Sequence, residues 1–156
     1  MNTGELIGCA LANGDFGALA TGVPYMQTLG LRVQRVGARL VVQLAADSRH
    51  VGNPWIPALH GGVVGGLLET AAIIQLASEH RGEALPKPVN VTIDYLRSGR
   101  VAETSACAIV TRLGKRIANV RATCWQDDEA RPIATLSGHF LIGRARARAA
   151  GTGAAP

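Results

Sequence analysis

The amino-acid sequence predicts an α+β fold in which a curved antiparallel sheet of about six strands wraps around one long central helix. Three observations lead to this prediction. The chain has 156 residues, enough for one domain with a proper core but too few for two comfortable ones. Residues 60–80 are apolar on nearly every side of a helix, which is typical of a buried helix. Two strand-like segments precede this helix, and four follow it.

The segments before the central helix are an extension, a hairpin and a loop. Residues 1–24 are interrupted by glycines and predict a weak helix or loop that extends the domain at its N-terminus. Apolar and polar residues alternate in 29–36 and more loosely in 39–46, and the turn at 36–38 between them predicts a β-hairpin. The next stretch, 47–59, contains two prolines and predicts a loop without regular backbone structure.

The central helix and the strands after it complete the predicted domain. The helix is predicted to begin at His60 or Gly61 and to end at His80, where a basic residue and a glycine follow. The predicted folded domain covers 25–143, and 144–156 are predicted to form a basic, disordered tail. Turn sequences separate the four later strand segments, which are 89–96, 105–113, 116–125 and 132–143.

Composition and charge argue against several functional classes. The net charge of +5 suggests an acidic partner, but most basic residues are scattered or lie in the tail, and 4% aromatic residues offer no stacking surface for nucleic acid. No window has the composition of a membrane span, and no basic residue precedes the mild apolar run at the N-terminus, as it would in a secretory signal. Cys9, Cys107 and Cys124 lack metal-binding spacing. We therefore expect a reduced, cytoplasmic protein that binds neither nucleic acid, nor a membrane, nor a metal ion.

The stretch LHGGVVGGLLETA, residues 59–71, carries the strongest functional signal. Each glycine inside a helix costs roughly 1 kcal/mol relative to alanine. Glu69 lies in an apolar run with no basic residue four positions before or after it. An unpaired buried carboxylate costs free energy or loses its charge. A sequence that accepts both costs in one short stretch indicates a chemical role for this helix.

This layout, together with HGGVVGGLLETA, resembles the hotdog-fold acyl-CoA thioesterases, in particular the group that includes phenylacetate-degradation and 4-hydroxybenzoyl-CoA thioesterases. The most specific shared element is His-Gly-Gly at 60–62 with an acidic residue nine positions after the histidine, here Glu69. The strand VNVTIDYLRSGR, residues 89–100, the turn at 113–115 and the final strand SGHFLIG fit the same pattern. The resemblance covers 25–143 and implies a hotdog fold and hydrolysis of an acyl- or aryl-CoA thioester.

By this resemblance, Glu69 is the acid that reaches the thioester carbon, either as nucleophile, giving a mixed anhydride, or as general base for water. The Gly61 backbone N–H is the matching donor to the carbonyl oxygen, because N–H groups at a helix start point outward and the helix dipole stabilises developing negative charge. Glycine at Gly61 and Gly62 leaves room for the thioester to approach the backbone. The role of His60 stays open between orienting the loop and substrate and bonding to nearby backbone.

Further positions bear on the same chemistry. Relatives often carry Asn or Gln a few residues before the histidine to hold water or the thioester; here Asn53 precedes His60 by seven residues and is equally an ordinary turn residue. Some relatives place Ser or Thr one turn after the acid, where this chain has Ile73, and others use a serine in the next strand, where it has Pro88. The hydroxyl that helps to position water is therefore missing at both places. Thr70 directly follows the acid but points about 100° away around the helix.

Coenzyme A is expected only as part of the substrate, and no separate cofactor is implied. Family members generally meet its phosphates with basic residues at strand ends and hairpins, although each such residue is equally a solvated charge or a turn residue. The resemblance also implies a homodimer or homotetramer with active sites at the dimer interface, in agreement with an edge strand left to pair. The candidates for contact with the coenzyme are Tyr95, Arg97, Gly114, Lys115 and Arg116.

Two other functions stay open at this point. A non-catalytic acyl-CoA-binding or sensor protein is consistent with the missing hydroxyl, although a pure binder has no need of Glu69. A hotdog hydratase or dehydratase also uses a histidine and an acid. Neither His60, nine residues before Glu69, nor His50, nineteen residues before it, has the spacing of that pair.

Overall fold

One long helix and one sheet dominate the fold of the computed structural model, which describes residues 1–80 and 84–143. The tail predicted for 144–156 lies outside the described residues. The helices are α1 Thr3–Asn13, α2 Gly17–Gly22, α3 Pro24–Leu29 and α4 Gly61–His80. The strands are β1 Leu31–Val36, β2 Arg39–Leu44, β3 Val51–Asn53, β4 Ile56–Leu59, β5 Lys87–Tyr95, β6 Thr104–Leu113, β7 Ile117–Trp125 and β8 Ala134–Leu141.

The main sheet has six strands in the order β1-β2-β6-β7-β8-β5, and all neighbouring strands run antiparallel. This order leaves β1 and β5 at the two edges of the sheet. The hairpin of β1 and β2 forms where the sequence predicts it, with Val36 opposite Arg39 and Gly37 in the turn at a φ of 60°. The predicted α+β fold, a curved antiparallel sheet around one long helix, is confirmed.

The N-terminal segment is more ordered than its sequence suggests. Instead of one weak helix or loop, it forms α1, α2 and the start of α3. The Asn2 side chain accepts a hydrogen bond from the Glu5 N–H at 2.9 Å, and the Glu5 carboxylate accepts one from the Asn2 N–H at 2.8 Å, so a capping box begins α1. Gly14 ends this helix at a φ of 73°. Gly14, Gly17 and Gly22 thus stand at helix ends, whereas Gly4 and Gly8 lie inside α1. The three helices pack onto the core through Ile7, Ala10, Leu19 and Met26.

The segment 47–59 also differs from its prediction. Ser48–His50 form one turn of 3-10 helix, and β3 and β4 pair as a small antiparallel hairpin outside the main sheet. The prediction of irregular backbone is therefore wrong here. The prolines are tolerated because Pro54 lies in the turn between the strands and Pro57 lies at an irregularity of the β3–β4 pairing, where a missing N–H breaks no ladder hydrogen bond. The hairpin ends at Leu59, whose N–H donates to the Gly99 carbonyl at 2.9 Å, directly before α4.

Helix α4 begins and ends where the sequence predicts and packs on the inner face of the sheet, mainly on β6, β7 and β2. It is the one described helix that is long and apolar enough to cross a membrane. Its place against the sheet instead identifies it as the core helix of the domain. Its burial is incomplete, because a stripe that includes Gly62, Glu69 and Ile73 reaches the surface. The largest fully buried side chains of the core include Leu67, Leu68, Ile74, Leu76, Leu136 and Phe140.

Candidate active site

His60 lies immediately before α4 and caps its N-terminus. The His60 N–H donates to the His50 carbonyl at 2.7 Å, and the His60 Nδ1 accepts the Gly62 N–H at 2.9 Å. Because Nδ1 is the acceptor, the proton of the neutral ring is on Nε2. Of the two roles that the sequence leaves open for His60, the backbone contact is present. The His50 ring beneath it is buried, and neither of its nitrogens bonds to a described residue.

Two glycines make room for the His60 ring. A Cβ on Gly52 would overlap the ring, and a Cβ on Gly62 would lie 3.0 Å from Nδ1. Gly62 thus has a role in the helix cap, beside the substrate approach predicted for it. Gly52 is not among the predicted site residues, and its only signal is a glycine in a short strand-like stretch, a common sign of close backbone approach.

Gly61 is the first residue of α4, and its N–H is a free donor. The next three N–H groups of the helix all donate to His60, whereas that of Gly61 donates to no described residue. A free N–H at a helix start lies where the helix dipole is positive, so it favours an oxygen that gains negative charge. The geometry needed for the predicted role of Gly61 is therefore present.

Tyr95, at the end of β5, lies against the same turn. Its hydroxyl donates to the Gly61 carbonyl at 2.8 Å, and a Cβ on Gly61 would lie 3.2 Å from the Tyr95 hydroxyl oxygen. The hydrogen bond fixes the first peptide unit of α4 relative to the sheet. A cavity of about 430 Å³ opens beside it, lined by Gly61, Tyr95 and Arg97 among others. The Arg97 guanidinium donates to the Pro132 carbonyl at 2.7 Å, which holds the arginine at the cavity wall.

Glu69 is half-buried on the surface stripe of α4 and forms no hydrogen bond or ion pair with a described residue. The turn before it contains Gly65 and Gly66, which present no side chains. Tyr25 of α3 lies over this turn, and a Cβ on Gly66 would overlap its hydroxyl oxygen. Burial raises the pKa of the Tyr25 hydroxyl, and the negative charge of Glu69 raises it further. Tyr25 is not among the predicted site residues, and the glycine at 66 is its only signal in the sequence.

Gly61 and Glu69 are separated within one chain. Eight residues of α-helix place them about 12 Å apart along the axis and about 80° apart around it. A thioester carbonyl needs its oxygen near the donor and its carbon near the carboxylate, and these two atoms are directly bonded. The two groups of a single chain therefore do not converge on one carbonyl.

The turn between β6 and β7 lies far from the cavity. Tyr95 pairs with Ala134, whereas the start of β7 pairs with Leu141, seven residues further along β8 or about 23 Å away. Gly114 in this turn donates its N–H to the Ile117 carbonyl at 3.0 Å, while Lys115 and Arg116 are exposed. Of the candidates for contact with the coenzyme, a single chain brings together Tyr95 and Arg97 but not the three turn residues.

The remaining candidate positions supply no hydroxyl beside Glu69. The Asn53 side chain accepts the Trp55 N–H at 3.0 Å, so it serves the turn of the β3–β4 hairpin. Ile73 is half-buried one turn after the acid, and Pro88 is exposed in β5. The Thr70 hydroxyl is buried and donates to the Gly66 carbonyl at 2.7 Å within its own helix. Across 1–80 and 84–143, no cluster of three or more His, Cys, Asp or Glu side chains could hold a metal ion.

Comparisons with known proteins bear on the chemistry to which such groups belong. A family model described as the thioesterase superfamily matches residues 57–133. The chain is also similar to the medium/long-chain acyl-CoA thioesterase YigI of Salmonella typhimurium, with 26% identity over 136 residues, which are 78% of this chain and 86% of that protein.

Solved structures show the same architecture. A protein from Chromobacterium violaceum is 32% identical, with 87% of this chain and 95% of that chain covered and a TM-score of 0.69. The phenylacetic acid degradation protein PaaI from Thermus thermophilus, solved as a mutant, is 22% identical, with 76% and 97% covered and a TM-score of 0.65, and so supports the fold alone. The resemblance drawn from HGGVVGGLLETA is confirmed: the chain belongs to the thioesterase superfamily of hotdog-fold proteins.

Proposed function

We propose that the protein hydrolyses an acyl-CoA or aryl-CoA thioester to the free acid and coenzyme A. The observation that carries this proposal is the pairing of a free Gly61 N–H at a helix start with an unpartnered carboxylate, Glu69, on the same helix. The name of the Salmonella relative, an acyl-CoA thioesterase, supports the same class of substrate.

We place each active site between two subunits. Gly61 and Glu69 of one chain lie about 12 Å apart along α4, too far to act on one carbonyl. In a two-fold dimer, Gly61 of one subunit can face Glu69 of the other, and the two sites are then equivalent. Both β1 and β5 end the sheet of the single chain, so an edge strand is available to join two sheets.

In this site, the Gly61 N–H donates to the carbonyl oxygen, and the dipole of α4 stabilises the negative charge that this oxygen gains. Glu69 follows one of two routes. On the first route, its carboxylate attacks the acyl carbon and forms an anhydride, which water then hydrolyses. On the second route, it takes a proton from water while the water oxygen attacks the acyl carbon. On both routes the C–S bond breaks, water supplies the new acid oxygen, and the sulfur leaves as the thiol of coenzyme A after gaining a proton.

Tyr95 and Arg97 have different tasks in this proposal. Tyr95 holds the Gly61 peptide through the hydrogen bond to its carbonyl, so it orients the donor. Arg97 lines the cavity beside that peptide and is the cation placed to meet a phosphate of the coenzyme. Lys115 and Arg116 lie at the other end of the sheet, so they contact the same coenzyme only if they come from the partner subunit.

The second candidate function is a non-catalytic acyl-CoA-binding protein. The observation that favours it is the lack of a hydroxyl at Ile73, where some relatives carry one, and at Pro88, where others do. Such a protein would bind coenzyme A esters at the cavity without hydrolysing them, and the loss of Glu69 would change binding little.

The test is release of thiol from a panel of acyl- and aryl-CoA esters, followed with a chromogenic thiol reagent. We expect Glu69→Gln to lower kcat at least ~100-fold, a typical loss for a group that acts in acid–base catalysis. Glu79→Gln is the matched control, since it makes the same change at an exposed carboxylate on the same helix. Binding of the esters without turnover by the wild type would favour the binding protein. Equal turnover by wild type and Glu69→Gln would contradict the proposed role of Glu69.

A further inference from the structure

Tyr25 brings a second polar group to the surface of α4 beside Glu69. Its hydroxyl lies where a side chain at Gly66 would be, and its ring carbon Cζ is 3.3 Å from the position of a Cβ there. Leu29, on the same short helix, lies 3.1 Å from that position. A glycine in the middle of α4 costs stability, and here it admits the tyrosine to the helix backbone.

The direction of helical side chains brings Glu69 to the same place. Side chains on an α-helix tilt toward its N-terminus, so Glu69 extends over the turn that contains Gly65 and Gly66. Tyr25 covers one side of this turn and fills the space that a side chain on Gly66 would take. On the other side is Ile93, whose Cδ1 lies 3.0 Å from the position of a Cβ on Gly65. Tyr25 and Glu69 therefore lie on the same turn of α4 and form no direct hydrogen bond, an arrangement in which one water molecule can bridge two polar groups.

The Tyr25 hydroxyl is available for such a water. It forms no hydrogen bond with a described residue, and Tyr25 is 54% exposed, so solvent reaches it. Its raised pKa keeps it protonated, and thus a donor, at neutral pH. Two other hydroxyls lie nearby, and both already donate to the backbone. That of Thr70 donates to the Gly66 carbonyl, and that of Tyr95, 3.8 Å from the position of a Cβ on Gly65, donates to the Gly61 carbonyl.

We propose that the Tyr25 hydroxyl positions the water that acts with Glu69, in place of the hydroxyl that is absent at Ile73 and Pro88. The inference rests on the proposed thioesterase function. Tyr25 donates its hydrogen bond to one lone pair of the water oxygen. The second lone pair then forms the bond to the acyl carbon, and one water proton passes to Glu69. Tyr25 keeps its own proton throughout, so it is a positioning residue.

The first test is Tyr25→Phe, which removes the hydroxyl and keeps the ring. We expect kcat to fall about 10- to 100-fold, the range for the loss of a hydrogen bond in a charged setting, with KM changed by less than about twofold. A change in KM alone, or an unchanged kcat, would overturn the inference, because a merely structural ring is preserved in this variant.

The second test uses Gly66→Ala, whose Cβ would overlap the hydroxyl and displace it. In the presence of Tyr25 we expect this change to lower kcat. In the Tyr25→Phe background it should add less than about a threefold loss, because the group it displaces is already gone. Losses that simply multiply in the double variant would show that Gly66 and Tyr25 act independently and would overturn the inference.

A third measurement does not depend on turnover. The chain has two tyrosines, so Tyr95→Phe leaves Tyr25 as the only phenol, and its titration can be followed by phenolate absorbance. Adding Glu69→Gln should lower the pKa of Tyr25, because the carboxylate raises it. An unchanged pKa overturns the pairing of the two side chains. An active enzyme insensitive to Tyr25→Phe overturns the inference alone, whereas an inactive wild type overturns the proposed function.

Discussion

Mixing two inactive variants would reveal whether the active site is shared between subunits. One variant, Gly61→Pro, removes the N–H that has no described partner. Proline is favoured at the first helical position, so the helix start should survive the change. Gly61→Ala is the control, because it adds a Cβ near Tyr95 while keeping the N–H. The second variant is Glu69→Gln.

The expected rates follow from the separation of the two residues along α4. Each variant alone should lose about 100-fold in kcat, as for removal of an oxyanion donor or a catalytic acid. When both chains assemble at random in equal amounts, a shared site receives an intact Gly61 and an intact Glu69 in about one quarter of cases, in dimers and in tetramers of such dimers alike. We therefore expect about one quarter of the wild-type rate.

The assay is thiol release by the co-expressed mixture, compared with each variant alone and with the wild type. If both groups of a site came from one chain, every site would carry one defect, and the mixture would stay near 1% of wild type, or roughly the 100-fold loss of each variant. A rate at that level, with assembly verified by tags on both chains, would refute the shared site. Gly61→Ala in place of Gly61→Pro should leave the mixture well above one quarter of the wild-type rate.

Three further outcomes are expected from single changes. Tyr95→Phe removes the hydrogen bond to the Gly61 carbonyl and should lower kcat about 5- to 10-fold, which corresponds to a loss of about 1 kcal/mol of transition-state stabilisation. Kinetics equal to wild type would show that this hydrogen bond is not needed to hold the Gly61 peptide. His50→Phe replaces a buried ring without partners and should raise the free energy of unfolding by up to about 1 kcal/mol in urea titrations. A clear loss of stability would instead indicate a polar partner for His50. Hydrogen bonds from Arg49 lower the pKa of Asp47 to about 2, so by NMR the Asp47 carboxylate of wild type should stay charged until the pH falls to that value. Arg49→Ala should return the pKa of Asp47 toward the ordinary 3.8, and a titration that stays near 2 would contradict this.

The parts of the fold that could be predicted have local signals. Continuous apolar character and the residues at its ends predict helix α4. Alternation of apolar and polar residues on both sides of Gly37 predicts the β1–β2 hairpin. The helices of 1–24 are harder to predict, because some of its glycines stand at helix ends, others lie inside α1, and its burial depends on a distant core. The β3–β4 hairpin was not predicted because prolines discourage strands, whereas here Pro54 lies in the turn and Pro57 at an irregularity of the pairing.

For the site, the sequence identified Gly61 and Glu69 as candidates but not what surrounds them. Tyr25 precedes Glu69 by forty-four residues, and only the packing of α3 on α4 brings the two together. The separation of Lys115 and Arg116 from Tyr95 follows from the pairing of β5 and β7 with β8, which no local pattern reveals.

A single stiff rod, α4, carries Gly61 at its first turn and Glu69 two turns later. In a two-fold assembly that shares its sites, each α4 contributes Gly61 to one active site and Glu69 to the other. A tilt of α4 that moves Gly61 in one active site therefore also moves Glu69 in the second active site. Substrate binding at the two sites would then be thermodynamically coupled. The position of the axis about which α4 tilts would decide whether the second substrate binds with higher or lower affinity than the first.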